Sequence, residues 1–313
     1  MNPGRMNKAE RRNEAMRGFR VLLVVLLRIL TKMGKRRYLK MTLGGIMFSV
    51  LVVTGFLAPY IAPHDPLEQH LESKLRPPAW VQGGNSGNLL GTDSLGRDLL
   101  SRIIFGSRIS LLLGVVTVIF VTIIGSILGA LAGYFGRYVD DVIMKVVEIF
   151  LAFPFLLLAI VLMAFLGQGL GNLILALVLS RWGHFCRMVR GEVLSLKQRV
   201  HVMAARAIGG NDFYIIRRHI IPNTIPTITI MATFAMALVI IYEASLSFLG
   251  LGVPPSIPTW GTMLSEGRSY MYRAPWLSIF PGLAIFFTVL GINLLGDGLR
   301  DVMDPRLKRQ TKA

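Results

Sequence analysis

The sequence predicts an all-α membrane protein with six transmembrane helices, and three observations carry that prediction. Hydrophobic residues make up 53% of the chain and the mean hydropathy is +0.58, more than the core of a soluble domain requires. Four runs, 41–62, 110–136, 220–242 and 274–296, contain no Asp, Glu, Lys or Arg, and each is long enough to cross a hydrocarbon layer that needs about 20 apolar residues per helix. Finally, the basic residues cluster between these runs, as they do when Lys- and Arg-rich loops are retained on the cytoplasmic side.

The first forty residues carry 12 Lys and Arg. Within them 19–30 is apolar, too short to span and not followed by a small-residue cleavage site, so it reads as an interfacial helix on the cytoplasmic leaflet, with a basic tail as the alternative. The first span is 41–62. An extracytoplasmic loop, 63–109, follows; in it Asp93 or Ser94 is expected to cap a helix in which Asp98 and Arg102 pair at i,i+4. The second span is 110–134.

The uncharged run 149–180 is too long for one helix, and the cluster Gly167-Gln168-Gly169-Leu170-Gly171-Asn172 divides it, because glycines and amides favour a turn. Spans at 147–166 and 172–190 result. Pro154 is expected to bend the former. The latter contains Arg181, His184 and Arg187, so its inner half must pack on protein or lie near water. Two further spans, 224–248 and 276–297, complete the set, with Pro281 bending the last. The core is thus 110–300, with a cytoplasmic loop near 195–223 and a tail at 301–313.

With the N-terminus inside, the segments 1–40, 135–148, 181–219 and 297–313 hold 27 of the 34 basic residues and 10 of the 17 acids, and so carry the whole formal net charge of +17. Both termini are therefore expected in the cytoplasm of a multi-pass plasma-membrane protein. The high pI, near 10.7, reflects basic flanks facing anionic lipid headgroups and not nucleic-acid binding. Cys186 is the single cysteine, and the five histidines lack metal-binding spacing, so neither an intrachain disulfide nor a metal site is expected. There is no Gly-x-x-x-x-Gly-Lys-Ser/Thr loop. Nucleotide hydrolysis and catalytic residues are therefore not expected on this chain, and any ATP must be used by a partner.

The loop 200–223 reads VHVMAARAIGGNDFYIIRRHIIPN. A short helix at 202–208 would set Val202, Ala205, Arg206 and Gly209 on one side, small Ala204 and Ala205 would admit a second protein's surface, and Gly209-Gly210 would end it. Asn211 or Asp212 would cap a second helix at 213–219, and Pro222 and Pro226 would start or kink the next span. This loop resembles the "EAA" loop of ATP-binding-cassette importer permeases, with Met203-Ala204-Ala205 where the family has Glu-Ala-Ala, followed by Gly209 and by Ile220-Ile221-Pro222-Asn223. Two more stretches sharpen the likeness: Leu90-Gly91-Thr92-Asp93-Ser94-Leu95-Gly96-Arg97-Asp98 with its continuation to Ser110, and Asn293-Leu294-Leu295-Gly296-Asp297-Gly298-Leu299-Arg300-Asp301 with Asp304-Pro305-Arg306. Over about residues 40–309 the chain resembles the oligopeptide and dipeptide permeases of the "C" type.

The resemblance implies a type I ABC importer permease fold. It also implies a second homologous permease, two cytoplasmic ATPase subunits that hold ATP and Mg, and an extracytoplasmic solute-binding protein that delivers oligopeptides or dipeptides. Met203, Ala204, Ala205, Arg206, Gly209, Ile220 and Pro222 would form the ATPase-coupling loop. Glu243, an ionisable residue inside a span, would line the translocation path with Ser245 and Asn293, or else make a buried structural hydrogen bond. The Pro- and Trp-rich segment 250–276 suits the outer interface, where tryptophans anchor to lipid. Nickel or another small solute in the same fold is the alternative. A proton-coupled transporter would want more ionisable groups near the midplane, and an ion channel a filter or charged ring.

Overall fold

The computed structural model describes residues 39–303; the interfacial helix expected at 19–30 and the residues after 303 lie outside them. The described chain is helical: α1 (Leu39–Ile61), α2 (Leu99–Phe135), α3 (Arg137–Leu151), α4 (Phe155–Leu166), α5 (Leu170–Lys197), α6 (Val200–Ala207), α7 (Asp212–Ile215), α8 (Ile221–Phe248), α9 (Trp260–Arg268) and α10 (Trp276–Met303). Four stretches are long and apolar enough to cross a membrane: α1, α2, α10 and the continuous helix Asp212–Phe248; α3 with α4 would make a fifth. The helix α5 has the length, at 28 residues, but the charged and polar residues of its C-terminal half keep it outside that set.

The span expected at 147–166 is not one helix. Between α3 and α4 the chain turns through 86°, at Ala152-Phe153-Pro154. The proline has no N–H to continue the ladder and its ring clashes with the preceding turn, so it opens α4 instead of merely bending a longer helix. The opposite happens at Pro222 and Pro226. Residues 216–220 form one wider π turn, Pro222 follows it at the first positions of α8, as expected of a proline that starts a helix, and the helix continues through Pro226.

The described residues form two compact units, one of 39–112 with 254–303, the other 113–253. In the first, α1 lies against α10, and glycines set the spacing. A Cβ at Gly44 would fall 2.3 Å from the Leu295 nitrogen, and one at Gly298 2.4 Å from Met41 Cα. Such close approach is how helices associate in lipid, where no hydrophobic drive holds them together.

In the second unit the same device appears as Gly125, Gly129 and Gly133, one per turn of α2. Added Cβ atoms would come 2.4 Å from Phe185 Cβ, 2.5 Å from the Cys186 carbonyl and 2.8 Å from the Arg190 carbonyl of α5. Val147, Trp182 and Cys186 pack together where α3 meets α5. A larger cluster of Val189, Val193, Leu196, Val202, Ala205, Ile215, Ile220 and Tyr134 joins the end of α5 to the loop that follows.

Candidate coupling and translocation sites

The loop after α5 is built around a helix stop. Gly209 has φ +86, a conformation that costs a residue with a side chain about 1–2 kcal/mol. Its N–H donates to the Arg206 carbonyl (3.1 Å) and that of Gly210 to the Ala205 carbonyl (3.0 Å), the pair of bonds that closes a Schellman motif. Asn211 then accepts the Tyr214 N–H at 2.7 Å and caps α7. Asp212, the other capping candidate, is used differently: it accepts the Tyr134 hydroxyl at 2.6 Å.

This geometry sorts the predicted coupling residues. Met203 is 53% exposed, Ala204 and Arg206 are exposed, Ala205 is 6% exposed, and Ile220 is fully buried while Pro222 is not. The expected grouping of Val202, Ala205, Arg206 and Gly209 on one side is corrected: Val202 and Ala205 turn into the core, Arg206 is exposed but reaches back to the buried Tyr134 of the same cluster, and Gly209 is exposed. Ala205 is thus unavailable to a second protein. The outer surface is instead apolar, with Val200, Met203, Ile208 (86% exposed), Phe213 and Tyr214. Hydropathy could have flagged Ile208 and Phe213, which flank the Gly-Gly stop.

Sequence reasoning missed Tyr134 altogether. This residue, 2% exposed at the end of α2, accepts Arg206 Nη2 at its hydroxyl (3.1 Å), and its carbonyl accepts Lys197 Nζ at 2.6 Å. Both cations also lie 5.5 Å from its ring centre. The hydrogen bond to Tyr134, helped by nearby Asp212, raises the Arg206 pKa above its ordinary value, so that cation keeps its charge at any physiological pH.

The translocation candidates fall into both units. Glu243 is 1% exposed and accepts the Ser247 hydroxyl at 2.9 Å. Ser245, half-buried, bonds back to the Ile241 carbonyl, a common resting place for a helical serine. Asn293 is half-buried in α10 of the first unit. The Arg181 guanidinium lies 5.4 Å from the centre of the Tyr242 ring and 5.7 Å from that of Phe155, and the two ring centres are 3.9 Å apart at a tilt of 33°. This is the protein packing expected of an arginine at membrane depth.

The loop 62–98 carries an ionic knot. Asp98, not Asp93 or Ser94, caps α2, accepting the Ser101 N–H at 2.9 Å and its hydroxyl at 2.7 Å. The expected pairing of Asp98 with Arg102 is therefore absent. Arg102 instead donates to Asp93 (2.5 Å) and to both oxygens of Glu266 (2.6 and 3.2 Å), while Arg97 joins the same two carboxylates at 2.6 and 2.9 Å. Glu266 comes from α9, 164 residues away. The tryptophans expected at the lipid interface also turn inward: Trp260 is buried and donates to the Ile103 carbonyl, and Trp276 donates to the Thr92 carbonyl. An indole N–H so engaged has no need of the headgroup layer. Among the described residues no group of three His, Cys, Asp or Glu is placed to hold a metal ion.

Residues 125–309 match the family described as the inner membrane component of binding-protein-dependent transport systems. The glutathione transport system permease protein of Pectobacterium atrosepticum is 44% identical over 87% of this chain and 90% of its own length. The di/tripeptide transport system permease protein of Pseudomonas aeruginosa is 44% identical over 86% and 89%, and the dipeptide transport system permease protein of Haemophilus influenzae 41% over 85% and 90%. A chain of the MetNI methionine ABC transporter has the same fold, with a TM-score of 0.53 at 22% identity, covering 64% of this chain and 96% of that one.

Proposed function

Since this chain belongs to the family of inner membrane components of binding-protein-dependent transport systems, we propose that it is the permease subunit of an ATP-driven importer of short peptides. The relatives at 41–44% identity are named for glutathione, di/tripeptides and dipeptides, and their common chemistry, a small peptide with a free carboxylate, is the substrate class we assign. Six spans cross the plasma membrane: α1, α2, the α3–α4 pair, α5, α8 and α10, the fourth tolerated because its charged half packs on protein. Both termini are cytoplasmic. The loop 62–98 and the segment around α9 then face outwards, where a solute-binding protein delivers cargo.

The observation that carries the coupling reading is the outer surface of α6 and α7. Val200, Met203, Ile208 and Phe213 are exposed on a segment whose opposite side is fixed in the core. A contiguous apolar surface rimmed by charge marks a protein contact, and on the cytoplasmic side the contact is an ATPase subunit. Two such ATPases bind ATP and Mg; a second homologous permease completes the pore. The exchange between outward- and inward-facing forms is shifted by nucleotide binding to the partners. Ser245 and Asn293 are the path-lining candidates in our reading, whereas Glu243, enclosed and bonded to Ser247, acts in packing.

Reconstitution of the four-component complex in vesicles tests this. Uptake of dipeptide and glutathione should require ATP, the binding protein and both ATPases. Uptake by vesicles holding this chain without an ATPase would overturn the proposal, and ATPase stimulation only by nickel would overturn its substrate class.

A further inference from the structure

We propose that Tyr134 is the positioning residue that ties the docking helix α6 to the end of α2, so that a displacement of the loop is carried into the span instead of being lost by sliding. This rests on the reading that α6 docks an ATPase. Most of what holds α6 is apolar: Val202 and Ala205 sit among Val193, Leu196, Ile215 and Ile220. Contacts of that kind resist separation but have no direction, and a short helix resting on them is free to shift along its own axis.

Tyr134 supplies direction. Its hydroxyl donates to Asp212, the first residue of α7, at 2.6 Å and accepts from Arg206 of α6 at 3.1 Å, across 78 and 72 residues of sequence. One oxygen therefore holds both sides of the Gly209-Gly210 stop. Its carbonyl meanwhile holds Lys197, the last residue of α5. A single residue of α2 thus holds α5 through its carbonyl and α6 and α7 through its hydroxyl. A shift of α6 by about 1 Å would stretch both hydroxyl bonds beyond useful length, unless α2 moved with it. The ring also lies beneath the Lys197 and Arg206 cations, which a phenylalanine would keep. The hydroxyl alone is what the proposal concerns.

Tyr134→Phe in the assembled complex is the test, read as solute imported per ATP hydrolysed with loaded binding protein at saturation. Loss of hydrogen bonds involving charged groups should lower that ratio by about tenfold or more. Asp212→Ala cuts the same link from the other side, and the double variant should be no worse than the more affected single one. An unchanged ratio in both, or fully additive losses, would sink the inference. Should Tyr134→Phe fail to assemble, Asp212→Ala alone decides by the same ratio. To keep the two readings apart, Met203→Cys carrying a thiol-reactive photo-crosslinker should attach to an ATPase subunit, buried Cys186 staying unlabelled. With a crosslink and an unchanged ratio, only the role of Tyr134 fails; without a crosslink, the docking reading fails and takes this one with it.

Discussion

Arg102 and Arg206 are each held by a polar partner far away in sequence, Glu266 and Tyr134, yet they do opposite work. Arg102 is 1% exposed and bracketed by Asp93 and Glu266. Its neighbour Arg97 shares both acids, so two cations and two carboxylates cancel within a closed knot. Arg206 stands in the open, bonded to one tyrosine oxygen, beside a surface of exposed apolar side chains. Charge that is buried and mutually satisfied fixes a loop in one shape. Charge at the rim of an apolar patch leaves the patch available to something else.

That contrast predicts where a substitution should harm the fold most. Arg102→Ala leaves buried Asp93 and half-buried Glu266 with only Arg97 between them; breaking a fully buried pair from one side costs about 3–5 kcal/mol, and the partial exposure of Glu266 puts this site at the low end. A large drop in the melting temperature of the detergent-solubilised protein is expected, with no complex recovered. A fall no greater than that of an exposed-residue control would show that water reaches the knot and that the two arginines are more alike than their burial suggests.

Next in size is Gly129→Leu. Its Cβ would lie 2.5 Å from the Cys186 carbonyl, so α2 and α5 must part, at about 1–3 kcal/mol for overpacking of this kind. Lower melting temperature and greater protease sensitivity between 113 and 253 are the expected readouts. Indifference would mean that the glycine row is not what seats α2 on α5, and that the cluster around Tyr134 is held by the loop alone.

How far these features were legible follows from their sequence separation. The four stretches long and apolar enough to cross a membrane were visible because each holds a long run without charge, and the loop 200–223 because Gly-Gly, Asn211 and the prolines punctuate it locally. Glu266 and Tyr134 were not visible: their partners are 164 and 78 residues away, and no local pattern reports a contact at that range. Asp98 was misassigned to an i,i+4 pair because helix spacing was assumed before the helix start was known. Ala205 was taken as surface because an alanine fits either side of a helix, and only the cluster beneath α6 decides. Pro154 was read as a bend and the chain does turn there, through 86°, but as a break between two helices; Pro222 stands at the start of α8, as its position suggested, while Pro226 lies inside it. The row Gly125, Gly129, Gly133 carried a usable signal, small residues four apart, that hydropathy alone overlooks.

Smaller again is Asn211→Ala. Its side chain caps α7 through the Tyr214 N–H, and removing a cap of this type costs about 1 kcal/mol. A modest shift in melting temperature is expected, accompanied by a fall in solute moved per ATP, since α7 presents both Asp212 to Tyr134 and Phe213 to the outer surface. If the melting temperature falls while the ratio stays constant, the loop tolerates fraying and its shape is set from the Tyr134 side.

The smallest effect on the fold belongs to Met203→Glu. The side chain is 53% exposed and touches nothing that needs it apolar, so stability should stay within about 0.5 kcal/mol. The family resemblance places a glutamate at this position, which makes the substitution a question about what Met203 does for this chain. If the docking partner meets an apolar surface here, a carboxylate must be stripped of water on contact without a matching cation. ATP-driven uptake should then fall although the permease inserts, melts and pairs as before. If uptake is unchanged or rises, the partner offers a positive group at this place, and the apolar contact lies on Ile208 and Phe213 alone. Ile208→Asp then becomes the substitution that separates the exposed surface from the buried knot: on its exposed site it should spare the fold and still uncouple transport.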